Sequence, residues 1–317
     1  MALSSSSVCV DSFSFFYRPE KWQTVGISAA VISQILIITV WQDAKFGTIA
    51  NVIIIAVAVF SSGNFGFENL FRNEASELIK NTKPISGELL TEADLVNLPE
   101  PVRNYLKFTG VVNKPKIKNM RVVFEGEMRS RGKDYFSFRS EQFNSFEDPA
   151  RLFFMKAKMF GITVPGYHRY VNGEASMDIR LFGLIPVVKN SGDIMNKTET
   201  VTLFNDLCLL APAALTDKRI QWEKINDTAV KAVFTNKGIS VLAELFFNSQ
   251  GQLINFISGD RTDISDMKQY PFSTPVSEYR NTNGFDLISK GEAVWKYPDG
   301  DFTYGKFYLK EIQYNLQ

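Results

Sequence analysis

Two cysteines and one histidine are all that this 317-residue chain offers toward thiol or imidazole chemistry. Cys9 and Cys208 lie 199 positions apart. With His168 as the single imidazole, they exclude His/Cys zinc sites, clustered-cysteine cofactors and a disulfide framework. Charge of one sign is also scarce. The 35 Lys and Arg face 34 Asp and Glu, so the basic surplus that neutralises phosphates is missing and nucleic acid is not expected as a partner. No Gly-rich phosphate loop stands at a strand–helix junction, and no Gly-x-Ser-x-Gly elbow is present. What the chain has in quantity is aromatic and apolar: 27 Phe, 11 Tyr and 45% hydrophobic residues, a composition that favours strands and apolar pockets.

The charges are unevenly placed. Trp22 to Gln42 is 21 residues without a charge, and Phe46 to Phe67 is another 22, separated by Asp43 and Lys45. A bilayer core about 30 Å thick needs about 20 apolar helical residues, because backbone polar groups there must satisfy one another. Both stretches meet that length, and Trp22 and Trp41 bracket the first as interfacial aromatics do. The reading is a transmembrane helical hairpin over 22–63, after a start (1–21) with no periodicity. A cleaved leader fits poorly, since its apolar region is only about 7–15 residues long. A buried hairpin of a soluble protein is the other alternative.

Residues 64–110 read as an amphipathic helical linker. Alternating charges at Glu68, Arg72, Glu74, Glu77 and Lys80 predict a short helix stopped by Lys83-Pro84. A second helix is predicted over 98–108, with Val102, Tyr105 and Leu106 on one face and Gly110 closing it. From Ile117 the period changes to two: Met120, Val122, Phe124, Gly126 and Met128 alternate with a more polar set. Similar runs recur at 133–143, 150–160, 166–173, 175–188, 219–226, 228–236, 238–248, 252–260, 275–282, 285–297 and 301–314. Asn172-Gly173, Asn283-Gly284 and Asp299-Gly300 punctuate them as hairpin turns. The fold class is therefore mainly antiparallel β over 111–317, a large curved sheet or half-barrel with a few helices. A helical insert near 197–216 carries Val201, Phe204, Leu207, Cys208 and Leu210 on one stripe. Such an insert either plugs one sheet face or, more commonly, completes the core.

Several constellations bear on function. His168 and Cys208 could form a dyad only with mutual geometry and an orienting carboxylate. Asp260, Asp263 and Asp266 recur every three residues but lack the spacing and terminal Glu of a calcium loop. Glu292, Asp299 and Asp301 lie near a hairpin turn, where paired acids are usually surface charge. No catalytic, cofactor or metal site is predicted. More suggestive are Phe153, Met155 and Met159 on one strand face, with Trp222, Phe246, Trp295 and Tyr304 from other strands. A curved sheet lined by these residues can enclose an adaptable apolar cavity suited to acyl chains, the alternative being an ordinary packed core.

The segments LPEPVRNYLKFTG, KPKIKNMRVVFEGEMR, PGYHRYVNGEASMDIRLFGLIPVV and ETVTLFNDLCLLAPAAL, with the closing VSEYRNTNGFDLISKGEAVWKYPDGDFTYGKFYLKEIQY, resemble an uncharacterised bacterial family of membrane-anchored β proteins. The resemblance covers about residues 94–315. It implies no activity, because that family has none established. Its longer members carry further N-terminal spans, so the resemblance implies that residues 1–21 are a truncated or atypical start. Members with a single anchor imply a β domain outside the cytoplasm. The flanking positive charges (Arg18, Lys21, Arg72, Lys80) counted alone would put it inside. At the level of fold, such a sheet is similar to the half-barrels of bacterial lipoprotein carriers. The functional expectation is a membrane-tethered binding or chaperone-like module for a lipid or other apolar ligand. The alternatives are a structural subunit of an envelope assembly and a hydrolase using the carboxylates near Glu292 or Asp301.

Overall fold

A computed structural model describes residues 21–82 and 87–317. The described residues form two units, one up to Leu70 together with Arg180–Pro186, the other Phe71–Ile179 with Val187–Gln317. The expected start over 1–21 and the expected stop at Lys83-Pro84 lie almost wholly outside the described residues.

The first unit is built on α1 (Trp22–Thr39), the single turn α2 (Trp41–Ala44) and the first part of α3 (Gly47–Asn81). Both long helices are apolar and long enough to cross a membrane. They meet antiparallel mainly through small and polar residues, with Ile37 buried against Gly47: Ala30 and Ala58 are buried, Gln23 donates to Ser61, and Gln34 bonds both Thr48 and Asn51. Ile32, Ile35, Ile38, Ile49, Val52 and Ile53 point outward. The amphipathic segment expected to begin near residue 64 is the continuation of α3, since nothing between Phe60 and Phe71 breaks the helical ladder. Phe182 stacks on Phe60 at 4.0 Å, and Arg180 lies 4.3 Å over the Phe67 ring.

The second unit begins with the last turns of α3, then α4 (Glu92–Leu95) and α5 (Glu100–Phe108). The strands are β1 (Asn119–Met128), β2 (Phe136–Ser145), β3 (Ala150–Met159), β4 (Ile162–Val171), β5 (Glu174–Leu181) and β6 (Ile185–Ser191). After α6 (Asp193–Leu210) and a 3-10 turn (Pro212–Thr216) come β7 (Ile220–Asn226), β8 (Ala229–Asn236), β9 (Ile239–Phe247) and β10 (Leu253–Ser258). A two-residue-a-side hairpin, β11 (Thr262–Asp263) and β12 (Lys268–Gln269), precedes β13 (Phe272–Ser273), β14 (Val276–Thr282), β15 (Phe285–Tyr297) and β16 (Gly300–Tyr314). One 14-stranded sheet runs β6-β5-β4-β3-β2-β1-β16-β15-β13-β10-β9-β8-β7, with β14 also on β15.

The sheet curls. Tyr170 on β4 and Asn236 on β8 stand far apart in that order, yet Asn236 Nδ2 donates to the Tyr170 hydroxyl at 2.8 Å. Arg219, just before β7, donates to the carbonyls of Phe146 and Glu147 after β2. Bulges at Val123/Phe124 and Ala293/Val294 give the extra twist that closure demands. Helix α6 fills the concave side and is buried nearly all round, with Phe204 stacked on Phe234 at 5.2 Å. Helix α5 joins the same core, where the Tyr105 hydroxyl donates to the Cys208 carbonyl at 2.9 Å. The convex face of β2–β4 is covered by the end of α3: Phe71 packs on Phe154 and Tyr167, and Glu74 pairs with Arg169 at 2.6 Å.

The run expected as one strand over 175–188 is two, β5 and β6, turned at Phe182-Gly183, both residues with positive φ. Phe-Gly is not a usual turn dipeptide, so composition hid the break. Gly126 is needed where it stands: a Cβ there would run into the Lys306 carbonyl and lie 2.7 Å from the Phe138 ring. Gly126→Ala is expected to destabilise the β unit by about 1–3 kcal/mol, as overpacking against backbone does. A lowered denaturation midpoint with unchanged slope would register it.

Candidate functional site

Strands place side chains alternately on two faces, so Phe153, Met155, Ala157 and Met159 of β3 all face the concave core. Trp222 on β7 packs against that same core, its indole N–H buried without a partner. Trp295 and Tyr304 belong to a second aromatic cluster with Phe272, Ala293, Tyr297 and Phe302, which Phe307 links to the main core. Phe246 is half-buried on β9 and joins neither cluster. The fold thus gathers Phe153, Met155, Met159 and Trp222 around one core, Trp295 and Tyr304 in another, and leaves Phe246 aside.

Arg261, which follows β10, reaches into the second cluster. Its guanidinium carbon lies 4.0 Å from the Phe272 ring centre, 5.3 Å from Trp295 and 5.9 Å from Tyr304. Nη1 donates to the Tyr304 hydroxyl at 2.8 Å, while Nε is buried with no hydrogen-bond partner. The β11–β12 hairpin is held down by the Thr262 N–H on Thr198 Oγ1 at 3.2 Å and by the Tyr297 hydroxyl on Asp263. At its base Lys197 pairs with Asp260 at 2.6 Å.

Beneath lies a polar group of residues that hydropathy reading passed over. Glu199 and Asp206 stand seven apart on α6, two turns along one face, and both are buried. Arg151 on β3 lies between them: Nη1 donates to Glu199 at 3.2 Å, Nε to Asp206 at 2.8 Å and Nη2 to Gln142 at 3.2 Å. Gln142 and Asn144 also donate to Asp206 Oδ2, at 2.7 and 3.2 Å. His168 Nδ1 is 3.4 Å from Glu199. Burial pushes the Glu199 carboxyl up, but His168, Arg151 and Arg261 together outweigh it and bring it down to about 2. At Asp206 burial wins over Arg151, Asn144 and Gln142, and its carboxyl lies above the usual range. The two readable signals were the i, i+7 acids within an otherwise apolar helix and an arginine opening a buried strand.

The remaining candidates disperse. Cys208 is fully buried with its thiol pushed far up by burial, and the side-chain partner of His168 is Glu199. Asp260 bonds Lys197 and the Leu242 N–H, Asp263 the Ser265 N–H and Tyr297, and Asp266 Tyr270 and the Lys268 N–H. Asp299 pairs with Arg131 at 2.5 Å and Asp301 with Lys296 at 2.8 Å, while Glu292 accepts from Thr303. In register Glu292 faces Lys306 and Asp301 faces Lys296, so these acids stand four strand positions apart, about 13 Å at 3.3 Å per residue. No grouping of three His, Cys, Asp or Glu side chains suited to a metal occurs among the described residues.

Removing the cation from this network leaves two buried acids uncompensated, so Arg151→Met is expected to cost about 3–5 kcal/mol. Because the Glu199 carboxyl is depressed in the folded chain, its contribution is fully present above pH 4.5 and is lost as pH falls toward 2. Asp206, raised by burial, acts in the opposite sense: its contribution is present below pH 3.8 and is lost as pH rises through its raised folded value. Denaturation midpoints between pH 2 and pH 6 should show a flatter acid limb in Glu199→Gln than in the parent.

Among solved structures, the chain is similar to a putative outer membrane lipoprotein-sorting protein domain from Vibrio parahaemolyticus. Identity is 10% and the TM-score 0.38, covering 62% of this chain and 85% of that one. A LolA superfamily protein from Nitrosomonas europaea gives 8% identity and a TM-score of 0.38, covering 67% and 93%. A beta-barrel-like protein of a domain of unknown function from Brucella abortus gives 8% and 0.21, covering 63% and 98%. Likeness at this level assigns no function. A search of curated proteins finds no sequence match. The sequence profile of one family matches residues 88–307, most of the chain, and the protein therefore belongs to the family of unknown function DUF6544.

Proposed function

We propose that the protein is a membrane-anchored, non-catalytic binding module that takes a lipid or other amphipathic ligand against the concave face of its sheet. The observation that carries this reading is Arg261. A cation sits among three aromatic faces at the margin of an apolar core, and its buried Nε has no hydrogen-bond partner. An acyl chain with an acidic head matches that environment, because the head completes a charge-assisted hydrogen bond while the chain replaces apolar contacts. The interior is already occupied by α6 and by the chain's own side chains, so access requires something to move. The β11–β12 hairpin is the least secured part of the enclosure, with only the pairs Thr262↔Gln269 and Asp263↔Lys268 in its ladder.

Anchoring is supported by the inverted dress of α1 and α3. Their contacts with each other are mostly small or polar, with Ile37 the branched residue buried on α1, while most Ile and Val face out, as suits helices solvated by lipid. The β unit is placed outside the cytoplasm in this reading. A non-catalytic role is favoured because Asp299 and Asp301 are each neutralised by a surface cation and Glu292 lies well away from Asp301.

The full chain, extracted from membranes into nanodiscs, should carry a lipid mass in native mass spectrometry. Arg261→Met should lower retention of acidic lipid about tenfold, the loss of one charge-assisted hydrogen bond. Ligand-free protein throughout, or release from membranes by carbonate, would remove the proposal. Reporter fusions after Gln317 that are active only in the cytoplasm would reverse the sidedness.

A further inference from the structure

The turn between β3 and β4 is Phe160-Gly161, both residues in the left-handed region (φ 51° and 78°). A bulky side chain is out of place there, and the turns Asn172-Gly173 and Asn283-Gly284 use the residue that tolerates it. Phe160 is also 98% exposed, the most exposed large apolar side chain among the described residues. Conformation and solvation both disfavour Phe at this tip, so neither accounts for it. Lys158 lies exposed on the strand leading to it. The β5–β6 turn, Phe182-Gly183, has the same two residue types, both again with positive φ. There the ring has its apolar partner, Phe60 of the membrane-length helix.

From this we infer that the β3–β4 tip docks on a lipid surface, with Phe160 seated among the acyl chains near the headgroups and Lys158 against anionic phosphates. An aromatic side chain beside a lysine is the chemistry of an interfacial anchor. The inference rests on the membrane reading above and deepens it. The β11–β12 hairpin emerges between β10 and β13 at this same end of the sheet, so docking would turn the hairpin toward the source of its ligand.

The test uses the full chain with Cys9→Ser, in nanodiscs of phosphatidylcholine with or without phosphatidylglycerol. A nitroxide is placed at Thr163→Cys beside the tip or at Gln250→Cys, an exposed turn at the opposite end of the sheet. The buried Cys208 is left in place. Collisions with oxygen should gain over collisions with a chelated nickel at position 163 but not at 250. That gain should fall in Phe160→Asn and when phosphatidylglycerol is omitted. Asparagine suits the turn, so Phe160→Asn should keep or raise the denaturation midpoint, which separates lost docking from lost fold. Equal, water-like behaviour at 163 and 250 in protein that survives a carbonate wash would overturn the docking and leave the anchor intact. Release by the wash would overturn the membrane reading, and the docking with it.

Discussion

Carrying Glu199 and Asp206 into an apolar interior on one face of α6 costs several kcal/mol per ion unless a cation and further hydrogen bonds meet them there. Arg151, entering from β3, supplies the cation, and Gln142, Asn144 and His168 fill the remaining positions. This network ties the helix to β2, β3 and β4. At the other side of the helix, Phe204 is locked between Phe234 of β8 and Phe256 of β10. A helix gripped by strands from both arms of an open sheet can be satisfied only if the sheet curls around it. The Tyr170–Asn236 contact is the consequence seen at the seam. Polar satisfaction and curvature are thus one constraint.

That constraint also explains why the concave face is full. A sheet of this length would leave a wide apolar trough, and α6, α5 and the β11–β12 hairpin occupy it. The division between them is uneven. Helices α5 and α6 are held by fully buried Val102, Leu106, Leu203 and Phe204, whereas the hairpin is held by a handful of polar contacts and by Arg261 on aromatic faces. Within this enclosure the hairpin therefore has fewer fixed contacts than either helix.

Much of the architecture was readable from residues. Alternation from Met120 onward announces antiparallel strands, and α5 ends at Phe108 as expected from Gly110. The expected helical insert is α6 with its 3-10 extension, beginning a few residues earlier, at Asp193. Misses have physical causes. The Phe182-Gly183 turn was hidden because Phe is a poor turn former, and α3 was expected to break where only its side chains change from apolar to charged. Along β3, alternation puts Phe153, Met155 and Met159 on one face, which packs into the core. Period-two reasoning could not say that Trp295 and Tyr304 lie in a separate cluster, because a bulge at Ala293/Val294 shifts their register.

By itself the sequence determined the two uncharged helical lengths, the antiparallel class and the shortage of metal and thiol ligands, since these depend on composition and local period. Tertiary structure alone decided that Arg151 meets Glu199 and Asp206 and that Arg261 enters an aromatic box. Each of those pairings joins residues tens of positions apart. Only strand order and curvature, which no local pattern encodes, bring them into register.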